Sequence, residues 1–189
     1  MGHREDLLAA ARRSLEKRGY ARTTARDLVA DSGTNLASIG YHFGSKEALL
    51  NEALGLSFQE WAERVRELAL AVEPSGDPGR MLAASWEAML TSFAEYRGLA
   101  VAFTEALAQA ERQPALRAQL AAIYEQSRTA VAKMITEAIE VPDEQARALA
   151  AFQIVICDGL LVQWLLDPDA TPSGAELTEA LQLALGRRS

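Results

Sequence analysis

Thr23-Thr24-Ala25-Arg26-Asp27-Leu28-Val29-Ala30-Asp31-Ser32-Gly33, running on into Asn35-Leu36-Ala37-Ser38-Ile39-Gly40-Tyr41-His42-Phe43-Gly44-Ser45-Lys46-Glu47-Ala48-Leu49-Leu50, is the most telling stretch of this 189-residue chain. Its pattern predicts two short helices around a sharp turn, with a further helix starting at Ser45. The Thr24 hydroxyl can cap the free N–H groups of the first helix, with acidic Asp27 three residues on. That helix ends near Ser32-Gly33, where a glycine supplies the positive φ a tight turn needs. Asn35 caps the second, over about 36–42, and Glu47 sits in the positive first turn of the next. Two helices set at a steep angle can present the second to a DNA major groove.

Working outward, the apolar spacing is helical almost throughout. A helix over 3–18 carries Leu7, Leu8, Ala11 and Leu15 on one face and is stopped by Gly19. The helix from Ser45 has the stripe Leu50, Leu54, Phe58, Trp61, Val65 and Leu68, about 25 residues in all, long enough to link head to body. The six prolines fall between periodic segments, as their cost inside a helix requires. Residues 73–79 read as the clearest loop. A fifth helix carries Leu82, Trp86, Met89, Leu90 and Phe93 and is broken at Arg97-Gly98. A sixth carries Leu99, Phe103, Ala106 and Leu107. The seventh follows Pro114, the eighth follows Pro142, and the ninth holds Leu177, Leu181 and Leu185 after a loop over 168–174. The expectation is an all-α protein of about nine helices, with a helix-turn-helix head over 1–47 and a helical body over 48–189.

Composition narrows the function. The chain is 49% hydrophobic and 24% charged, which fits a packed core rather than disorder. Net charge is -7, but residues 1–50 hold eight Lys/Arg against six Asp/Glu, while the remainder holds eleven against twenty. A mildly basic head on an acidic body keeps phosphate attraction local to the head. Cys157 is the single cysteine, so no intrachain disulfide forms, which suits a reducing cytoplasm. Arg4, Glu5 and Asp6 interrupt any N-terminal apolar leader. Residues 148–166 are the most apolar run, but Gln153, Asp158 and Gln163 fall at depths where a bilayer penalises them, so a buried helix is expected and no membrane partner. His3, His42 and Cys157 show no metal-ligand spacing, and no glycine-rich phosphate loop occurs. Neither an enzyme nor a cofactor or metal site is expected.

A helix that lies on a duplex needs short polar side chains, small residues for close approach and nearby cations. Residues 34–42 supply Thr34, Asn35, Ser38, Tyr41 and His42, with Ala37 and Gly40 as the small positions. Of Leu36 and Ile39, one should face the neighbouring helices and the other a thymine methyl. Lys46 can reach a phosphate, as can the unpaired N–H groups at helix N-termini.

Residues 7–50 also resemble the N-terminal domain of the tetracycline-repressor (TetR) family of bacterial transcription regulators. The resemblance rests on Gly19-Tyr20, Thr23-Thr24, Asp27-Leu28-Val29-Ala30, Gly33, Asn35, Ile39 and the run Tyr41-His42-Phe43-Gly44-Ser45-Lys46-Glu47-Ala48-Leu49. The chain departs from the family habit at Thr34, where valine is frequent, and at Gly40, which weakens its short helix by roughly 1 kcal/mol against alanine. The resemblance implies a DNA-facing role for Asn35, Ser38, Tyr41, His42 and Lys46; with Thr24, Thr34 and Ala37 they make up the expected DNA-binding set. It further implies a homodimer on a near-palindromic double-stranded operator, a small, largely apolar effector, and repression as the sign of control.

For the effector, aromatic and soft side chains with a few polar groups are the candidates: Trp86, Met89, Phe93, Phe103, Tyr124, Phe152, Gln153 and Cys157. Asp158 should cap, pair or meet ligand, because an unpaired buried carboxylate is costly. For the dimer, Leu161, Trp164, Leu165, Leu177, Leu181 and Leu185 are the candidates; packing of the ninth helix on the eighth within one chain is the alternative. A helical interaction module without DNA binding is the alternative for the chain as a whole.

Overall fold

The structure, a computed structural model, describes residues 2–71 and 77–186, so most of the loop expected over 73–79 lies outside the described residues. Nine helices form among these residues: α1 (His3–Arg18), α2 (Ala25–Ser32), α3 (Leu36–Phe43), α4 (Lys46–Leu70), α5 (Pro78–Glu95), α6 (Arg97–Ala110), α7 (Pro114–Ala138), α8 (Asp143–Leu166) and α9 (Gly174–Ala184). No strand occurs among them. The expected all-α class is what the chain adopts.

Residues 1–60 and 96–126 make one compact unit, and residues 61–95 and 127–189 make another. The head expected over 1–47 lies inside the first unit, together with α6 and the first half of α7. In this unit α1 packs on α2, α3 and α6. Leu7, Leu15, Leu28, Leu49, Leu50, Leu54, Leu99 and Leu116 are all but excluded from solvent. Burying each contributes roughly 1.5–3 kcal/mol. Asp31 ties α2 to α1 by accepting from Arg18 Nη1 at 3.1 Å and Ser14 Oγ at 3.3 Å.

Gly98 corrects one expectation. It does not break a helix: the break falls at Tyr96, and Gly98 lies in the first turn of α6. A Cβ at Gly98 would sit 2.3 Å from the Glu16 carbonyl oxygen, so the missing side chain is what lets α6 lie against α1. Sequence shows a glycine in either case, and only the neighbour across the gap separates a breaker from a contact.

In the second unit α5 packs on α8 and α9. Gly174 opens α9 where a Cβ would come 2.3 Å from the Ala83 carbonyl oxygen, and its N–H donates to Glu87 Oε2 at 3.2 Å. Ser173 and Glu176 cap α9 reciprocally. Trp61 donates from Nε1 to Ser92 Oγ at 2.8 Å, and Trp61, Phe93 and Trp164 form a row of rings 6.0 and 5.6 Å apart.

Helix α8, apolar almost all round, is expected to be covered by α9 together with a partner subunit; within the single chain one side is covered and the other is open. Ala146, Ala150, Cys157, Leu160 and Leu161 face inward, while Leu149, Phe152, Val155, Val162 and Leu166 are exposed. Among the described residues it is the one helix long and apolar enough to cross a bilayer, with a mean hydropathy of 1.9. An all-round apolar pattern has no polar edge by which to tell its packed side from its open one.

Candidate nucleic-acid interface

The turn is built by local hydrogen bonds that the sequence places. Thr24 Oγ1 accepts from the Asp27 N–H at 3.2 Å, and the Asp27 carboxylate accepts from the Thr24 hydroxyl at 2.6 Å and the Thr24 N–H at 2.9 Å. These bonds hold the Asp27 carboxyl below its ordinary value, the hydroxyl contributing most. Gly33 ends α2 in the left-handed region, with φ 68°. Thr34 donates its N–H to the Val29 carbonyl at 3.2 Å and shares a hydroxyl contact of 2.8 Å with Ser32. Asn35 then caps α3, its Oδ1 accepting from the Ser38 N–H at 3.1 Å and the Ser38 hydroxyl at 3.3 Å.

These bonds sort the expected DNA-binding residues. Tyr41 stands 86% exposed and Leu36 55% exposed on α3, with Asn35, Ala37 and Gly40 also open to solvent. Residues 36, 37, 40 and 41 share one helical face. Ile39 points into the core at 4% exposure, so of the two it is Ile39 that faces the neighbouring helices. Ser38 is buried, and its hydroxyl is spent on the Asn35 cap. Thr24 is exposed but its hydroxyl both accepts and donates within the capping box. His42 and Thr34 are half-buried. His42 lies edge-on between Tyr41 and Phe43, with ring centroids 4.8 and 6.3 Å away. Lys46, expected to reach out, instead donates to the Thr23 carbonyl at 3.1 Å and pairs with Glu47 at 3.4 Å. The position of Thr23 in space, not its place in the sequence, decides this.

Arg22 and Arg26 were not singled out from sequence, yet both are exposed beside the start of α2. Their flanking of the Thr23-Thr24 pair was the available signal. Arg4 covers the Phe43 ring at 5.1 Å and pairs with Glu52 at 2.5 Å, so that cation is occupied.

The effector candidates fall into two groups. Phe103 and Tyr124 belong to the first unit, where Phe103 stacks with Phe58 at 4.5 Å and Tyr124 at 6.2 Å. Trp86, Met89, Phe93, Gln153 and Cys157 belong to the second unit. There Gln153 donates to Ser85 Oγ and reaches Cys157 Sγ at 3.9 Å. Among the described residues of this unit, the buried Trp86 Nε1 and Gln153 Oε1 have no hydrogen-bond partner. Burial pushes the Cys157 thiol up to about 12, with Asp158 adding to it. Phe152 is 40% exposed on the open side of α8. A groove of about 390 Å³ in the same unit is lined by Leu68, Ala83, Ala84, Glu87, Ala88, Thr91 and Ala175, and by none of these candidates. Among the dimer candidates, Leu161 is buried, Trp164 packs on Phe93, Leu165, Leu177 and Leu181 are half-buried, and Leu185 is exposed.

The bacterial regulatory proteins of the tetR family match over residues 7–53, and the BetI-type transcriptional repressor C-terminal region matches over residues 78–186. The multidrug binding protein EbrR, solved with imidazole, is 25% identical over 98% of this chain and 95% of its own, with a TM-score of 0.71. A TetR transcription regulator from Haloarcula marismortui ATCC 43049 is 21% identical over 98% and 95%, TM-score 0.66. A protein of Saccharomonospora viridis, solved in complex with choline, is 22% identical over 98% and 96%, TM-score 0.68. A search of the curated proteins gave no match.

Proposed function

This chain belongs to the TetR family of bacterial transcription regulators and is a ligand-responsive DNA-binding regulator; from that premise we propose that it is a cytoplasmic repressor, held on a near-palindromic operator as a homodimer and released by a small, largely apolar molecule. The observation that carries the DNA grip is the exposed face of α3. A side chain as large as Tyr41 left 86% in solvent on a two-turn helix, touching only the edge of its neighbour His42, is open to meet a duplex. Leu36 beside it offers apolar contact to a thymine methyl. Arg26 supplies phosphate attraction in place of Lys46, beside Arg22, whose Nε donates to the Arg18 carbonyl at 3.0 Å.

The open stripe of α8 supports the homodimer. Leu149, Phe152, Val155, Val162 and Leu166, with Leu183 on α9 and Leu185 just past its end, are exposed apolar residues that a second copy would cover. Such burial is the favourable term in pairing, set against the freedom that two chains lose on association. Two-fold pairing matches half-sites about 34–36 Å apart on one side of a duplex. Leu185 alone of the dimer candidates named from sequence belongs to this set.

The unpartnered Trp86 N–H and Gln153 carbonyl support an effector that offers one acceptor and one donor among apolar groups. Each unsatisfied atom costs about 1–3 kcal/mol, which a ligand can recover. EbrR was solved with proflavin as well as imidazole, so these two and choline are the natural first probes.

The test starts from a duplex that the purified full-length chain selects from a random-sequence pool. Binding should weaken steeply with salt and persist against non-specific competitor. A probe that raises the melting temperature should also release the duplex, because coupling between two sites is reciprocal. No selected duplex, or a bound probe that leaves DNA affinity unchanged, overturns the reading.

A further inference from the structure

We infer that Glu105, on α6, is a positioning residue for DNA binding: its carboxylate clamps the loop that launches α2 and thereby sets the pose of α3. Glu105 Oε2 accepts the Ala21 N–H at 2.9 Å across 84 residues of chain. Gly19 makes room for it. That residue has φ +80°, and a Cβ there would lie 2.5 Å from Glu105 Oε2. Only glycine meets both demands at once. A carboxylate on a backbone N–H is a charge-assisted bond, stronger than a neutral one.

The clamp acts on a loop with little slack. Tyr20 donates its hydroxyl to Asn51 Oδ1 at 2.6 Å. Thr23 Oγ1 donates to the Gly19 carbonyl at 2.7 Å, and Lys46 Nζ holds the Thr23 carbonyl at 3.1 Å. The next residue, Thr24, caps α2, and α2 packs on α3. A displacement of α6 therefore passes through Glu105 to residues 19–23 and on to the recognition helix. The near contact of Gly98 with Glu16 on α1 is a second point where α6 meets this part of the head. An acidic side chain close to a DNA-binding head weakens phosphate attraction, so its presence there is best explained by what it holds.

This inference rests on the reading of α3 as the DNA-contacting helix. The test measures affinity of the full-length chain for the duplex that the wild type selects from a random-sequence pool, together with hydrogen exchange at the Ala21 amide and the melting temperature. Glu105→Ala should bind at least tenfold more weakly and lose Ala21 protection. Glu105→Gln, which keeps an acceptor oxygen, should stay within threefold of wild type with Ala21 protected. Equal affinities of wild type and Glu105→Ala, or a lowered melting temperature with unchanged affinity, overturn the inference, as does a Glu105→Gln loss equal to that of alanine. Should Glu105→Ala fail to fold, Glu105→Asp, which withdraws the oxygens by one methylene, is held to the same outcomes. A wild type that selects no duplex overturns the DNA-binding reading as well, whereas an unmoved Glu105→Ala overturns this inference alone.

Discussion

Tyr41 is almost wholly in solvent, so Tyr41→Ala should leave stability within about 0.5 kcal/mol of wild type. The same variant should lower affinity for the selected duplex by at least about tenfold, read by fluorescence anisotropy, since one good base-edge contact is worth about 1–3 kcal/mol. Affinity left intact would remove Tyr41 from the interface. Cys157 gives a chemical prediction. With its thiol pushed up to about 12, very little thiolate exists at pH 8, so a thiol reagent should label the native chain slowly and the urea-unfolded chain fast. Equal rates would show that the thiol is not buried. Asp27 carries a pH dependence. Its folded value is depressed, so its contribution is fully present above the unfolded value and is lost as pH falls through the folded one. Acid unfolding below about pH 4 should therefore shift to higher pH in a Thr24→Val variant, whose side chain can neither accept nor donate the capping bonds. An unshifted acid transition would show that the cap contributes nothing.

At the scale of elements, α6 and α8 each present one side that periodicity does not mark. Gly98→Ala should push α6 off α1, because the nearest atom is a backbone carbonyl that cannot swing aside. The cost should be about 1–3 kcal/mol in chemical denaturation, as for overpacked cores; a neutral result would show that the two helices separate freely. For α8, Val155→Glu places a charge in the middle of the open stripe, where Val155 is 66% exposed. The helix should keep its circular dichroism, while sedimentation should report a dimer dissociation constant raised by at least about tenfold. A dimer of unchanged stability would move the pairing surface elsewhere.

For the whole molecule, charge placement governs how it finds DNA. The chain as a whole is acidic, so a uniform distribution would repel a duplex; the excess of cations in the first 50 residues makes the approach directional. The slope of log affinity against log salt, about -0.9 per phosphate neutralised, counts the cations engaged, and Arg26→Ala should reduce it by about one. Ligand response belongs to this scale too, because an effector acts on DNA only through its different affinity for two states of the protein.

The helices themselves were readable from the chain, because their signals are local. Thr24, Asn35 and Ser173 cap helices with their own near neighbours, Gly33 turns the chain by its own φ, and prolines bound the longer segments. The run from Tyr41 to Leu49 also carried the family. Tertiary contact alone decided which side of each helix meets what. Lys46 turned inward because Thr23 offered its carbonyl, Gly98 became a contact because Glu16 lies beside it, and Glu105 found Ala21 from 84 residues away. The physical reason is that a cap or a turn is satisfied within four residues, whereas burial and long-range hydrogen bonds depend on which surfaces meet.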